Sequence, residues 1–399
     1  PYSSLKGRRL HLGVSGSVAA YKAVSLMRLL QKAGINVSVT LTEAATRFIT
    51  PLTFEALGAE PVFASMFGED NGLSFAHLHQ GQCAPAVMVA PCSADAMARI
   101  ASGLAGEILC AQALAFDGPL LLAPAMNPRM WNNPSTRNNL DILKSRGIAI
   151  VEPDSGLVAC GDSGQGKLAA PDQLAVAAAR ALVPHDMNGK RVLLTIGPTQ
   201  EIWDGVRIWT NLSSGLMGAS LAQAAWLRGA EVHAVAGPGV PDLPQGIARY
   251  NVRSAQEMFE AAEKVWHGME YGIFTAAVAD FRPEQHAGKF KKTTSADGMD
   301  VHFLPNTDIL ATLSAKAEPH QKILAFAAET DRLEERSREK RARKNAHILA
   351  GNLVGNPGSG FAVPTNEMFV YDHTGREEHW PSTSKADVAW RLLDWLLTL

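Results

Sequence analysis

The segment PAMNPRMW, residues 124–131, brings together residue types that can hold a charged ligand. The Asn127 amide can donate to a carboxylate without adding charge, and Met126 and Met130 supply an apolar, polarizable wall. A second segment, PCSADA at 91–96, puts Pro91, Ser93 and Asp95 just after an apolar run and at the start of a helix-like one. A third, Ser15-Gly16-Ser17, lies between a strand-like and a helix-like stretch, where backbone N–H groups and the helix dipole favour phosphate. By itself this loop reads equally well as a phosphate cradle or as a plain tight turn. It lacks the G-x-G-x-x-G fingerprint of dinucleotide folds, and the following strand ends in Thr40-Leu41-Thr42 rather than in an acid. A mononucleotide therefore fits better than NAD.

The elements that must position these segments alternate. RLHLGVSG reads as a strand, AAYKAVSLMRLLQKAG as a helix ended by Gly34, and NVSVTLT as the next strand. APAVMVAP, GPLLLAPAM and GIAIVEP are near-continuous apolar runs, as expected of strands covered on both faces. The helical stretch LAVAAARALV closes this half, and PHDMNGKR, at 184–191, is aperiodic and rich in Pro, Asn and Gly. After it the alternation restarts with KRVLLTIGP. LQKAGINVSVT and AWLRGAEVHAV look like the same unit in each half. A chain of 399 residues also exceeds one ordinary core. The expectation is an α/β protein of two Rossmann-like parallel-sheet domains, 1–185 and 186–399.

Composition excludes several classes. Lys+Arg 37 against Asp+Glu 39 leaves a net charge of −2, too little positive field for a dedicated nucleic-acid binder. With 46% hydrophobic and 19% charged residues the chain can bury real cores. Four cysteines without a C-x-x-C pair argue against a disulfide scaffold or a cysteine zinc site and fit a reducing cytoplasm. No apolar run approaches the ~20 residues that span a bilayer, and no signal-peptide core precedes the first strand. His77-x-His79 has no third metal ligand nearby, so on its own His77 reads as an ordinary core or surface histidine.

Three features together carry a resemblance: His77 in AHLHQG, PCSADA, and PAMNPRMW. The first half resembles the flavin-dependent cysteine decarboxylases, marked by a strand-end histidine, a P-A-S-A-N-T segment and a P-x-M-N-x-x-M-W segment. The last motif matches at every specified position, whereas PCSADA departs at three. The resemblance spans most of residues 8–180 and implies a flavodoxin-like decarboxylase domain. It implies FMN held around Gly16, Ser17, Thr42, Ser93, Asp95 and Met126, and a substrate ending in an amide-linked cysteine. A carboxylate α to an amide loses CO2 poorly; oxidation of the cysteine side chain to a thioaldehyde gives the carbanion a sulfur on which to delocalise. In this reading His77 is the active-site base and Asn127 orients the carboxylate. Cys160, in the flap-like stretch DSGLVACGDSGQG, is the proton donor for the final reduction. The other three cysteines read as packing residues.

The second half offers GPTQEIWDGVRIWTNLSSGLMG (197–218), AAVADF (276–281), GKFKK (288–292), NTDIL (306–310), FAAET (326–330) and KRARKN (340–345). These resemble the phosphopantothenate–cysteine ligases, and the whole chain resembles the bifunctional bacterial enzymes that join ligase to decarboxylase. The resemblance implies CTP-dependent coupling of 4′-phosphopantothenate to cysteine, then decarboxylation to 4′-phosphopantetheine. NLSSG-x-MG is a polar loop opening a helix, suited to phosphate. Asn211 would hold the acyl-cytidylate, Arg207 would face a phosphate, and Lys289, Lys340 and Lys344 would meet the triphosphate. Asp280 would serve the nucleotide, and Phe274, Thr275, Ala276, Thr307, Asp308, Ile309, Leu310 and Phe326 its pocket. Mg2+ would be held mainly through the phosphates, with Asp280 a further ligand.

The chain departs from the ligase pattern at Gln200, Leu216, Thr307 and Leu353, where the family usually has Arg, Lys, Pro and, near the last, an aspartate. Two lost cations near phosphates weaken attraction for anionic substrates. Two alternatives therefore stand beside the bifunctional enzyme: a working decarboxylase with an altered ligase half, and an FMN-binding regulatory flavoprotein without turnover. The decarboxylase family builds trimers and the ligase family dimers; together they would close a dodecamer.

Overall fold

The computed structural model of the chain describes residues 2–66, 77–78, 83–290, 298–329, 344–353 and 363–399. Contacts gather the chain into two units, Pro1–Val183 and Pro184–Leu399. The first is built on strands β1 (Arg9–Val14), β2 (Asn36–Leu41), β3 (Val62–Phe63), β4 (Ala86–Cys92), β5 (Leu120–Pro124) and β6 (Ala149–Ile150), with an antiparallel hairpin, β7 (Asp154–Leu157) and β8 (Ser163–Lys167). The sheet order is β3-β2-β1-β4-β5-β6, with every pairing parallel. β4 and β5 are buried at every residue, which is why their sequences are continuously apolar. Val87, Met97, Leu122, Leu140 and the fully buried Trp131 form one core on this sheet.

The second unit repeats the plan. Its strands are β9 (Arg191–Ile196), β10 (Gln200–Ile202), β11 (Ile208–Thr210), β12 (Glu231–Ala236), β13 (Ala248–Asn251), β14 (Tyr271–Phe274), β15 (Phe281–Pro283), β16 (Phe303–Pro305), β17 (Lys322–Glu329), β18 (Ile348–Leu353), β19 (Thr365–Asp372) and β20 (Glu377–Ser384). The large sheet runs β13-β12-β9-β14-β17-β18-β19-β20. Its first six strands are parallel and reproduce the order of the first unit; β19 and β20 extend it in antiparallel fashion. The sequence reading did not anticipate this extension. β10 with β11 and β15 with β16 form two small hairpin-like sheets.

Helix Leu216–Leu227 is apolar on nearly all sides because β9 and β12 lie on one flank and helix Lys385–Leu397 on the other. At its end the buried Arg228 donates to both oxygens of Asp186 at 2.8 and 2.6 Å and pairs with Asp394 at 2.7 Å. This bidentate contact fastens the aperiodic segment after Pro184 to the second unit.

His347, just before β18, is a neutral group. Its Nδ1 accepts the Ile323 N–H at 3.2 Å, and burial, then Lys322 and His373, push its pKa down to about 4 from 6.5. The folded pKa lies below the unfolded one, so its contribution is complete above pH 6.5 and disappears as pH falls through 4. The thermal midpoint of the chain should therefore fall across that window. His347→Asn, which keeps an acceptor but cannot charge, should flatten the fall; an unchanged slope would refute the assignment.

Candidate functional sites

In the first unit, strand order reverses between β1 and β4, so ligand-binding loops meet at their carboxyl ends. One hydroxyl knits them: Ser15 Oγ donates to the Pro91 carbonyl and accepts the Ser93 N–H, both at 2.8 Å. Around it, Ser17, Thr42 and Ser93 each accept a backbone N–H at the start of a helical segment. A capping hydroxyl keeps its own O–H to donate, so the three can still face an anionic oxygen. Gly16 packs against Ala44, where a Cβ would lie 2.5 Å from the alanine methyl. The Asp95 carboxylate is engaged by Arg99 at 2.8 Å on the exposed side of its helix.

Beside these loops lies a cavity of about 400 Å³, walled by Ser17, Lys22, Met126, Asn127, Cys160 and Lys167 among others. The hairpin β7–β8 closes one side. Gly166 lets it approach: φ is +147°, and a Cβ would meet the Met126 carbonyl oxygen at 2.5 Å. Asn127 caps helix Pro128–Trp131 by accepting the Arg129 N–H at 2.7 Å, which turns its Nδ2 outward. That Nδ2 donates to Cys160 Sγ at 3.0 Å and to Asp162 Oδ2 at 2.6 Å. Two residues 33 positions apart, both singled out from sequence, thus touch.

The sequence reading missed three groups here. Lys22 and Lys167 line the cavity, and burial, then the Lys167 charge, lowers the Lys22 pKa while Asp154 raises it. Two cations this close prefer an anionic ligand. Asp162 is the third. His77 is half-buried and is not among the wall residues described; His79 lies outside the described residues. Cys92 and Cys110 are buried and Cys83 partly so; burial, then the Glu107 charge, pushes the Cys110 thiol up to about 11, with Arg99 opposing.

In the second unit the reversal falls between β9 and β14. Thr275 Oγ1 donates to the Thr195 carbonyl at 2.7 Å, and the Ala279 N–H donates to Thr199 Oγ1 at 3.1 Å. Over these ends a cleft of about 120 Å³ is walled by Ser213–Gly218, Thr275, Ala276, Phe326, Asn352, Asn366 and Lys385. Gly215 starts helix Leu216–Leu227 at φ +67°, pressed against Val240 and Ile196. Leu216 stands in the wall as an apolar residue, whereas the buried Lys385, not foreseen from sequence, brings a cation from another helix.

Asn211 is tethered beside this cleft, its Nδ2 donating to the Val278 carbonyl at 3.0 Å. Asp308 caps helix Ile309–Ala315 and pairs with Lys344; burial lowers the Lys344 pKa and the nearby Asp280 raises it. Asp280, Asp308 and Lys344 therefore gather as one charged group. Phe274 is buried against Trp266, and Ile309 and Leu310 pack in the same core, so these three would serve a ligand through backbone atoms. Thr307 and Lys289 are exposed, Gln200 sits in β10 opposite Thr210, Lys340 lies outside the described residues, and Leu353 ends β18. Among the described residues no group of three or more His, Cys, Asp or Glu is placed to hold a metal, and no helix is long and apolar enough to cross a membrane.

Arg207 owes its position to the buried Asp204, which sequence did not reveal. Asp204 accepts from the Val206 N–H at 2.8 Å, the Arg207 N–H at 2.6 Å, Arg207 Nη1 at 2.5 Å and the Phe290 N–H at 3.1 Å. Burial pushes its carboxyl up, but these donors together prevail and hold it at about 2. The same carboxylate thus ties Arg207 to the neighbour of Lys289.

Two doubly wound units, with a cavity rich in anion donors at the first switch point and a polar cleft at the second, define a two-domain nucleotide-handling protein. Family models agree: residues 1–182 match the Flavoprotein model, and residues 187–399 match the DNA/pantothenate metabolism flavoprotein C-terminal domain. The chain is 39% identical over 397 residues to the Coenzyme A biosynthesis bifunctional protein CoaBC of Vibrio vulnificus, covering 99% of both. It is 37% identical over 400 residues to the protein of that name from Bacillus subtilis, covering 99% of this chain and 98% of the relative. A solved C-terminal domain of a CoaBC protein is 34% identical, with a TM-score of 0.45, over 53% of this chain and 95% of that one. The chain belongs to the CoaBC family of bifunctional coenzyme A biosynthesis proteins.

The Asp204 contacts should hold above about pH 3.8 and be lost as pH falls through 2, because the folded pKa is the lower one. Asp204→Asn should reproduce that loss at neutral pH, speeding amide exchange at Val206, Arg207 and Phe290 by about tenfold or more. Unchanged exchange would show that the carboxylate does not organise the loop.

Proposed function

We propose that a ligase domain, 186–399, joins 4′-phosphopantothenate to cysteine through an acyl-cytidylate at the expense of CTP. A decarboxylase domain, 1–185, then converts 4′-phosphopantothenoylcysteine to 4′-phosphopantetheine. The observation that carries this reading is the convergence of Asn127 and Cys160 on a cavity that also holds Lys22 and Lys167. The substrate is anionic at both ends, so it suits a pocket with two cations and an outward-facing amide.

FMN, when bound, supplies a two-electron oxidation of the substrate's cysteine side chain and returns the electrons after CO2 has left. The loops of Gly16, Ser17, Thr42 and Ser93 fit its phosphate because their hydroxyls keep an O–H to donate. Asn127, fixed by its cap bond, holds the carboxylate in one orientation. Cys160, within reach of the same amide, holds the proton needed at the end. His77 acts as base in this reading.

In the second unit the loop Ser213–Gly218 offers phosphate a helix N-terminus, with Lys385 in the same wall. Asn211, Arg207, Lys289, Lys340 and Lys344 hold the nucleotide and the acyl-cytidylate. Lys385 makes the loss of a cation at Leu216 less consequential than sequence alone suggests. Asp280 would help hold a Mg2+ bound mainly through the nucleotide phosphates, which would spread the charge during attack on the α-phosphorus. The protein works in the cytoplasm as a homo-oligomer. Exposed apolar side chains in each unit, Tyr21, Phe48 and Leu52 in the first and Trp209, Leu212 and Phe281 in the second, support trimeric and dimeric contacts that close a dodecamer.

Separate sites require separable losses. Asn127→Ala should cut CO2 release about 100-fold through misplaced substrate while leaving pyrophosphate release intact, and Asn211→Ala should do the reverse. Loss of both activities in either variant would contradict two independent sites. Cys160→Ala should still release CO2 but accumulate an oxidised thiol product, detectable by mass; a normal yield of 4′-phosphopantetheine would remove Cys160 from the final proton transfer.

A further inference from the structure

A carboxylate of the chain itself, that of Asp162, sits against the wall of the first cavity through Asn127. Asn127 can offer only its Nδ2, because its Oδ1 is committed to the Arg129 N–H. That Nδ2 meets Asp162 Oδ2 at 2.6 Å, and Arg129 Nη2 meets the other oxygen, Oδ1, at 3.1 Å. An amide and a guanidinium converging on the two oxygens of one carboxylate is recognition chemistry for a carboxylate ligand.

The arrangement is poorly explained as a structural bond. The Arg129 side chain is 84% exposed and that of Asp162 30% exposed, and ion pairs in such positions add little to folding. Asp162 also lies on the turn that carries Cys160, whose Sγ is 3.0 Å from the Asn127 amide and 3.8 Å from Asp162 Oδ2. Hydrogen bonds from Asn127 and Arg129 hold the Asp162 carboxyl below its usual range, so it is an anion at neutral pH.

We propose that the Asn127 amide and the Arg129 guanidinium together form the subsite for the substrate's carboxylate, and that Asp162 fills it until the substrate takes its place. This rests on the decarboxylase reading of the first unit and adds two residues to it. Exchange of one carboxylate for another keeps both donors satisfied throughout. It also prevents the donors' attraction from appearing as tight ground-state binding, which would oppose loss of CO2. The product has no carboxylate, so Asp162 returns to the two donors once CO2 has left.

The test uses the full-length, FMN-loaded chain, titrated with 4′-phosphopantothenoylalanine, which keeps the carboxylate but has no thiol to oxidise, or with 4′-phosphopantetheine, while the flavin spectrum is followed. Asp162→Ala should tighten the carboxylated ligand about tenfold, the scale of one charged hydrogen bond, and leave the product within about twofold. Asp162→Asn, which keeps the shape and removes the charge, should tighten it by a smaller factor. Arg129→Met should weaken the carboxylated ligand about tenfold and spare the product. Weaker binding of the carboxylated ligand in Asp162→Ala, or equal shifts for both ligands, overturns the subsite; the decarboxylase reading survives if the unsubstituted chain still releases CO2. An unsubstituted chain that binds neither ligand and releases no CO2 overturns both.

Discussion

A parallel sheet whose strand order reverses must leave a crevice at the carboxyl ends of two neighbouring strands, because the chain departs from them toward opposite faces. Both units carry this constraint, between β1 and β4 and between β9 and β14. Each crevice is spanned by hydroxyl bonds between strand ends: Ser15 to Pro91 and Ser93 in the first, Thr275 to Thr195 and Thr199 to Ala279 in the second. The loops above can then vary without disturbing the sheet. One sheet plan thereby supports two different chemistries.

The two aspartates that organise the loops of each unit differ in exchangeability. Asp204 is buried and satisfied by three backbone N–H groups and a guanidinium, so it is a fixture that holds Arg207 and the loop of Lys289. Asp162 shares its two principal donors at a partly open site. The first aspartate organises a binding surface; the second can surrender its place to a ligand of the same chemistry. Lys385 shows a further route, in which a helix from the end of the chain supplies a cation to a cleft formed by earlier segments.

The parallel strands were legible because burial on both faces writes itself into β4 and β5 as unbroken apolar runs. Asn127 and Cys160 were legible as motif members, and the structure gives their contact. Asp162 and Asp204 were not, since an aspartate in a Gly-rich loop looks like any turn residue until its long-range donors are known. Phe274 shows the complementary case: it stands in a ligand motif while its side chain belongs to the core, which leaves its backbone atoms for a ligand. β19 and β20 escaped notice because β19 carries only the short apolar run Met368–Tyr371 and β20 is polar apart from Trp380 and Pro381, so neither has the longer continuous runs used to recognise the rest.

Two switch points in one chain thus perform consecutive reactions, ligation and then loss of the cysteine carboxylate. The most direct measurement supplies the FMN-loaded chain with 4′-phosphopantothenate, CTP, Mg2+ and cysteine labelled in its carboxyl carbon, and follows labelled CO2 and pyrophosphate together. CO2 should appear only when CTP is present, approaching one per pyrophosphate after a lag. Labelled CO2 without CTP, or pyrophosphate formed with cysteine but never followed by CO2, would contradict it.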